Sequence, residues 1–213
     1  MAEQPLVVVR GEAFKEVPPE LAIFSVMVSA RDKDRQTVLT RLTERAAELR
    51  THLDAYPDAI ERRETTAVQV NPDLKRGSDR ITAYTASATT TVTVTDFAVL
   101  GELLLRLANL ELASVNGPWW QLRPGSKAGA EVRKAAIADA LDRAREYADA
   151  VGARIDRLVE IADEGAEGHR PMMRALAFDT GSGRPELELD PQLQTVQASV
   201  VVRVTISEPT KQW

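Results

Sequence analysis

Between Ile81 and Asp96 the sequence alternates between two kinds of side chain. Because successive side chains of a strand point to opposite faces, this alternation predicts an antiparallel strand with one buried face and one face toward water. Such a strand belongs to a sheet that helices cover on one side. The buried face is predicted to carry Tyr84, Ala86, Ala88, Val92 and Val94, and the other face Thr85, Ser87, Thr89, Thr91, Thr93 and Thr95.

Apolar spacing and turn residues divide the rest of the chain into six further strands and three helices. Leu21–Ala30 carries apolar residues at both odd and even positions, so we predict a central strand that is covered on both faces. The element order is ββαββαβαββ, and the fold class is α+β, with mainly antiparallel sheets and helices packed on one side. The six strands are Leu6–Val17, Leu21–Ala30, Glu64–Asn71, Leu112–Leu122, Leu158–Ala162 and Gln194–Ile206, and the helices are Asp34–Tyr56, Phe97–Leu110 and Ser126–Val151.

The longest predicted helix has an apolar side rich in alanine. Small side chains let a helix lie close to the surface that it covers. Gly152 follows the last apolar residue, which is the usual position of a glycine that ends a helix. Asp34 is predicted to cap the first helix in the same local way. The apolar side carries Val132, Ala136, Ile137, Ala140, Ala144, Tyr147, Ala148 and Val151.

Composition excludes several classes of protein. The 213 residues are 44% hydrophobic and 28% charged, which is typical of a globular chain, and we predict a single domain over residues 1–213. The formal net charge of -5 disfavours general nucleic-acid binding, which needs concentrated positive charge. The absence of cysteine excludes disulfides, thiol nucleophiles and cysteine-ligated metals.

The first residues, Met1-Ala2-Glu3-Gln4-Pro5, precede an apolar run of only four residues. A secretory signal needs a basic start and a longer apolar run, so we predict a cytoplasmic protein. No apolar stretch approaches the ~20 residues that span a bilayer, and we expect no membrane span.

The segment at about 163–191 is predicted to be a long loop, either mobile or functional. It contains Met172 and Met173, whose adaptable side chains make them candidate interface residues. It also contains His169, which has acidic neighbours. Alternation places Glu186, Glu188 and Asp190 on one face; these three are weak candidates for a hard-cation site, against a simpler interpretation as a solvated edge.

Trp119 and Trp120 are adjacent within a predicted strand, so their rings point to opposite faces. One ring then belongs to the core while the other meets solvent or a partner. Tryptophan is enriched at interface hot spots, which makes this pair a candidate interface. The alternative is that both rings are packed within the protein.

Four segments, taken together in their order, resemble the SIMPL domain family, also called DUF541, over nearly the whole chain. This sequence has Pro19-Glu20 where the family usually has Pro-Asp, and a charged loop after Asn71-Pro72. The segments are Val9-Arg10-Gly11-Glu12-Ala13 with Pro19-Glu20-Leu21-Ala22, Thr65-Thr66-Ala67-Val68-Gln69-Val70-Asn71-Pro72 with Tyr84-Thr85-Ala86-Ser87-Ala88, the alanine-rich stretch from Ala135 to Ala148, and the closing stretch from Val196 to Val204.

The resemblance implies a non-enzymatic, often oligomeric α+β protein with links to stress tolerance or to protein partners, and it supplies no catalytic residues. Our leading hypothesis is a bacterial, cytoplasmic interaction or scaffold module that forms a homo-oligomer and uses no cofactor. Two alternatives remain open. One is a small-molecule-binding module with a pocket between sheet and helices, and the other is a hydrolase that uses His169 with Glu164 or Glu167.

Overall fold

The computed structural model describes residues 4–163 and 187–210. Its elements follow the predicted order ββαββαβαββ, and the α+β fold class with antiparallel sheets is confirmed. The strands are β1 (Leu6–Val17), β2 (Leu21–Asp32), β3 (Ile60–Leu74), β4 (Ile81–Val94), β5 (Ala113–Gln121), β6 (Ile155–Asp163) and β7 (Gln194–Ile206), and the helices are α1 (Arg35–Asp54), α2 (Leu100–Ala108) and α3 (Lys127–Ala150).

The chain forms two compact units. The three-stranded unit contains β1, α3, β6 and β7, and the four-stranded unit contains β2 to β5, α1, α2 and residues 187–192. The chain therefore begins in the three-stranded unit, continues through the strands and helices of the four-stranded unit, and then re-enters the three-stranded unit. The single domain over residues 1–213 stays a prediction. Among the described residues, no helix is long and apolar enough to cross a membrane.

In the three-stranded unit, β7 lies between β1 and β6 and pairs antiparallel with both. The buried alanines of α3 recur every four residues and face this sheet. Gly11 of β1 makes the close approach possible, because a Cβ there would lie 2.2 Å from the carbonyl oxygen of Ala136. Tyr147 differs from its prediction, since 61% of it is exposed.

The four-stranded unit has the strand order β3-β4-β2-β5, and every neighbouring pair is antiparallel. Alternate side chains of β2 and β4 form one core with α1 and α2. Fully buried examples are Phe24, Val92 and Leu103. Asp34 caps α1 as predicted, because its Oδ2 accepts a hydrogen bond of 2.7 Å from the backbone N–H of Thr37.

β1 and β2 follow each other in the sequence but do not pair with each other: β1 pairs with β7, and β2 pairs with β4 and β5. One prediction needs correction. β2 is central, as predicted, but its second face is not fully covered, since Met27 is 37% exposed. Apolar residues at both odd and even positions allow both faces of a strand to be buried. Whether each face is covered depends on which other elements pack against it.

Candidate functional site

The tryptophan pair lies on β5, an edge strand of the four-stranded sheet. Trp120 is opposite Ala22 of β2 and faces the helices, where its ring meets Phe97 edge to face with centroids 4.9 Å apart. Trp119 is opposite Ile23 on the other face and is 42% exposed. The structure thus separates the two rings as the alternation predicts. An interface role for either ring stays a prediction.

Each unit ends in two edge strands, and free edges can pair with another chain. On β1, the backbone N–H of Glu12 donates a 3.0 Å hydrogen bond to the Asp139 carboxylate of α3. This bond lowers the pKa of Asp139, and the nearby Arg143 guanidinium lowers it further. A side chain of the same unit therefore blocks this edge near its centre.

Two other edges are interrupted by their own backbones. On β5, the register shifts at Gly117 and Pro118, and proline has no N–H to donate. On β6, the register shifts twice, at Asp156 and at Val159. Bulges of this kind bend an edge and discourage pairing.

The β3 edge is different after its own bulge at Thr66. From Ala67 to Asn71 the pairing with β4 runs without a register shift, and the segment carries no charge. Val68, near its centre, is 63% exposed. Among the described edge strands, this is the longest regular, uncharged stretch, and it was missed at the sequence level because an edge is defined only by which strands pair.

Two of the three acidic candidates, Glu188 and Asp190, lie in the described part of the chain. Glu188 and Asp190 are exposed, while Leu187 and Leu189 pack against the core of the four-stranded unit. No group of three or more metal-ligating side chains occurs among the described residues. Glu186 lies outside the described residues, as do Met172, Met173 and His169, so their roles stay predictions.

Carboxylates with shifted pKa values have structural partners. The Arg31 guanidinium beside Asp73, with the Thr85 hydroxyl, holds the pKa of that carboxyl below its ordinary value. The backbone N–H of Thr37 lowers the pKa of Asp34. Lowered values keep these groups ionised, which suits ion pairs and caps rather than proton transfer at neutral pH.

An open groove of about 450 Å³ lies where β2 ends and α1 begins. Asp32 is the last β2 residue paired with β4, so β4 continues past it without a partner on that side. The carboxylate of Asp32 binds Arg41 at 2.9 Å. The groove is lined by Arg31, Asp32, Lys33, Thr82 and Ala83.

This groove was also missed by sequence reasoning, which assigned Asp34 a capping role only. Its lining residues come from residues 31–33 and from Thr82 and Ala83 of β4, which are distant in sequence and become neighbours only because β2 and β4 pair.

A match to a family model identifies the family of this chain. The SIMPL family model, described as "Protein of unknown function (DUF541)", matches residues 7–204. The "26 kDa periplasmic immunogenic protein" of Brucella melitensis is 29% identical over 180 residues, covering 76% of this chain and 68% of that protein, and the Brucella abortus protein of the same name matches equally. A solved structure from Burkholderia cenocepacia is similar only weakly, with 13% sequence identity and a TM-score of 0.32. The match covers 56% of this chain and 31% of that chain. Because the family match runs from β1 to β7, the chain belongs to the SIMPL (DUF541) family.

Proposed function

We propose that this protein is a non-enzymatic interaction module that assembles with further copies of itself through the β3 edge. The observation that carries the proposal is the regular, uncharged stretch Ala67–Asn71 on a free edge strand. Two such edges, placed antiparallel about a two-fold axis, exchange backbone hydrogen bonds and join two sheets into one.

The other described edges favour this choice by contrast. Natural edge strands avoid pairing by bulges, charges, proline or covering groups. β1 has the Asp139 carboxylate, β5 has Pro118, and β6 has two bulges. On β3 such devices flank the stretch, as the bulge at Thr66 and Pro72, while Ala67–Asn71 itself carries none of them.

Trp119 offers a second contact in the same unit. Its ring is 42% exposed on the sheet face away from the helices. A large, rigid aromatic side chain contributes contact area at a small cost in conformational entropy. We propose that it adds to an assembly that the β3 edge begins.

Among the described residues, the directions of the pKa shifts support the proposal that the protein is not an enzyme. Asp34, Asp73, Glu131 and Asp139 all have lowered values, each with a hydrogen-bonded partner. Carboxyl groups that act as general acids or bases near neutral pH have raised pKa values instead. The hydrolase alternative predicts an activity that is lost in His169→Ala.

The first test is the absolute mass in solution, measured by size-exclusion chromatography with light scattering across a dilution series. We expect wild type to form a discrete multiple of 23.4 kDa and Val68→Lys to be a monomer. Position 68 is largely exposed, so the lysine is compatible with folding, and an edge lysine opposes strand pairing.

Val159→Lys on β6 is the matched control, because Val159 is also an exposed valine on an edge strand, at 49% exposure. We expect it to assemble like wild type. A wild-type protein that is monomeric at every concentration would overturn the proposal. An assembly that persists in Val68→Lys would assign self-association to another surface.

The compartment and the biological process need their own tests. The sequence predicts the cytoplasm, whereas the Brucella relatives carry the word periplasmic in their names. Fractionation of the source cells, with marker proteins for each compartment, distinguishes the cytoplasm from the periplasm. A role in stress tolerance predicts that deletion of the gene lowers survival under stress and that wild type restores it, while Val68→Lys does not.

A further inference from the structure

We infer that the β3 edges of two copies pair in one register, with Gln69 opposite the partner's Gln69 on a two-fold axis. This inference rests on the self-assembly proposed above and specifies the partner as one second copy in a defined position. In such a pair each copy uses the same edge, so the contact joins two copies and does not extend into a fibre. The two four-stranded sheets then form one continuous sheet.

Symmetry limits the registers that the two edges can adopt. A two-fold axis perpendicular to the sheet keeps the same face of both copies together, and side chains alternate between the faces with a period of two. Residues that lie directly opposite each other therefore share a face. The residue at the axis lies opposite its own copy, so each register is identified by its self-opposed residue.

The regular stretch Ala67–Asn71 is centred on Gln69. With Gln69 at the axis, every residue of the stretch pairs with a residue of the partner's stretch. An axis one residue earlier would bring the bulge at Thr66 into the new pairing. An axis one residue later would bring in Pro72, which has no N–H to donate. Gln69 is therefore the centre that uses the whole stretch and neither interruption.

The side chains that meet on the helix side of the sheet are compatible in this register. Val68 lies opposite the partner's Val70 there. Val68 is 63% exposed, because α1 packs over β2 and β4, whereas Val70 is half-buried against the core. Directly opposite β-branched residues stabilise antiparallel strands. The pairing thus covers an apolar side chain that the helices leave exposed.

On the other face of the sheet, the Gln69 side chain meets its own copy at the axis. Gln69 is exposed, and its side chain makes no hydrogen bond with the described residues. A carboxamide carries donors as well as an acceptor, so two glutamines related by a two-fold axis can each donate to the other's oxygen. The register therefore gives this free amide a partner and places no like charges opposite each other.

The test uses single cysteines, because the chain has none of its own. Directly opposite residues of antiparallel strands have Cα atoms about 4.5–5.5 Å apart, which a disulfide spans, whereas diagonal neighbours are about 7–8 Å apart. Oxidised glutathione should therefore link Gln69→Cys into a dimer of twice 23.4 kDa on non-reducing electrophoresis, but not Val68→Cys or Val70→Cys. Ala67→Cys and Asn71→Cys should each stay unlinked alone and become linked when mixed.

Ser114→Cys is the matched control, because Ser114 is an exposed polar residue on another edge strand, β5. We expect it to stay unlinked, and we expect the same of Gln69→Cys combined with Val68→Lys. Equal linking of Ser114→Cys would show random collision and remove the support for the register. Circular dichroism and light scattering of the reduced variants confirm that each is folded and assembled.

The outcomes separate this inference from the proposal on which it rests. Self-linking of Val68→Cys or Val70→Cys in place of Gln69→Cys would overturn the register and leave assembly through β3 intact. If the wild type is assembled and no cysteine between positions 67 and 71 becomes linked, alone or mixed, another surface holds the copies together and both proposals fail. A wild type that is monomeric at every concentration would refute the assembly itself.

Discussion

Replacing Gly11 with alanine tests how closely α3 lies on the three-stranded sheet. The new Cβ would lie 2.2 Å from the carbonyl oxygen of Ala136 and 2.5 Å from the backbone nitrogen of Ala140. Both obstructing atoms belong to the helix backbone, so no side-chain rotation relieves the overlap. The helix must withdraw by about 1 Å, a gap that forfeits roughly a quarter to a half of the dispersion energy along its alanine row.

We expect Gly11→Ala to destabilise the protein by about 3 kcal/mol, at the upper end for an overpacked core. For a chain of this length, that corresponds to a fall in Tm of about 6–12 °C. The assay is thermal and urea unfolding followed by far-ultraviolet circular dichroism, which reports the loss of α3.

Gly129→Ala is the control within the same unit. Gly129 lies inside α3, and its nearest neighbour is the flexible end of Arg133 at 3.4 Å. Alanine is the better helix former, so we expect this variant to gain about 0.5–1 kcal/mol. The same substitution should thus have opposite effects at the two positions. A Gly11→Ala midpoint equal to that of wild type would refute the inferred close approach.

Three further predictions use unfolding and hydrogen exchange. Trp120→Ala should lose about 2–4 kcal/mol because its ring packs on Phe97, whereas Trp119→Ala should change the stability of the monomer by less than about 1 kcal/mol; equal losses would contradict the separation of the rings. Gly101→Ala should speed amide exchange at residues 187–190, since its Cβ would lie 2.0 Å from the Leu187 carbonyl oxygen; unchanged exchange would argue against that contact. The folded-state pKa of Asp139 is below its ordinary value of 3.8, so its charge stabilises the fold above that pH and the contribution disappears as pH falls through the folded pKa. Asp139→Asn should therefore lower the urea midpoint at pH 7 but not in strong acid, and an equal deficit at both would rule out the charge as its cause.

Local features of the fold could be predicted because their causes are local. Strand faces follow from a period of two, and β4 buries Ala86, Val92 and Val94 as its alternation predicts. The cap at Asp34 and the positive φ of Gly152 depend on backbone groups within one helical turn. The alanine row of α3 similarly predicted a close approach, which Gly11 makes possible.

The candidate site could be predicted only in part. Adjacency on a strand predicted that Trp119 and Trp120 would separate, and they do. Alternation also predicted the outward direction of Glu188 and Asp190, but not the packing of Leu187 against α2, which depends on the absence of a side chain at Gly101. The groove beside Asp32 is lined by the end of β2 and the start of β4, which are distant in sequence, so no local pattern reveals it.

The sequence by itself determined which residues form helices and strands, which faces they bury, and which family the resemblance indicates. Only the tertiary structure decided which strands pair: β1 leaves its sequence neighbour β2 and joins β7, and β3 becomes an edge. The physical reason is that backbone hydrogen bonds are nearly the same for any two strands, so the partner is selected by packing between distant segments. The free edges and the groove beside Asp32 are consequences of that selection.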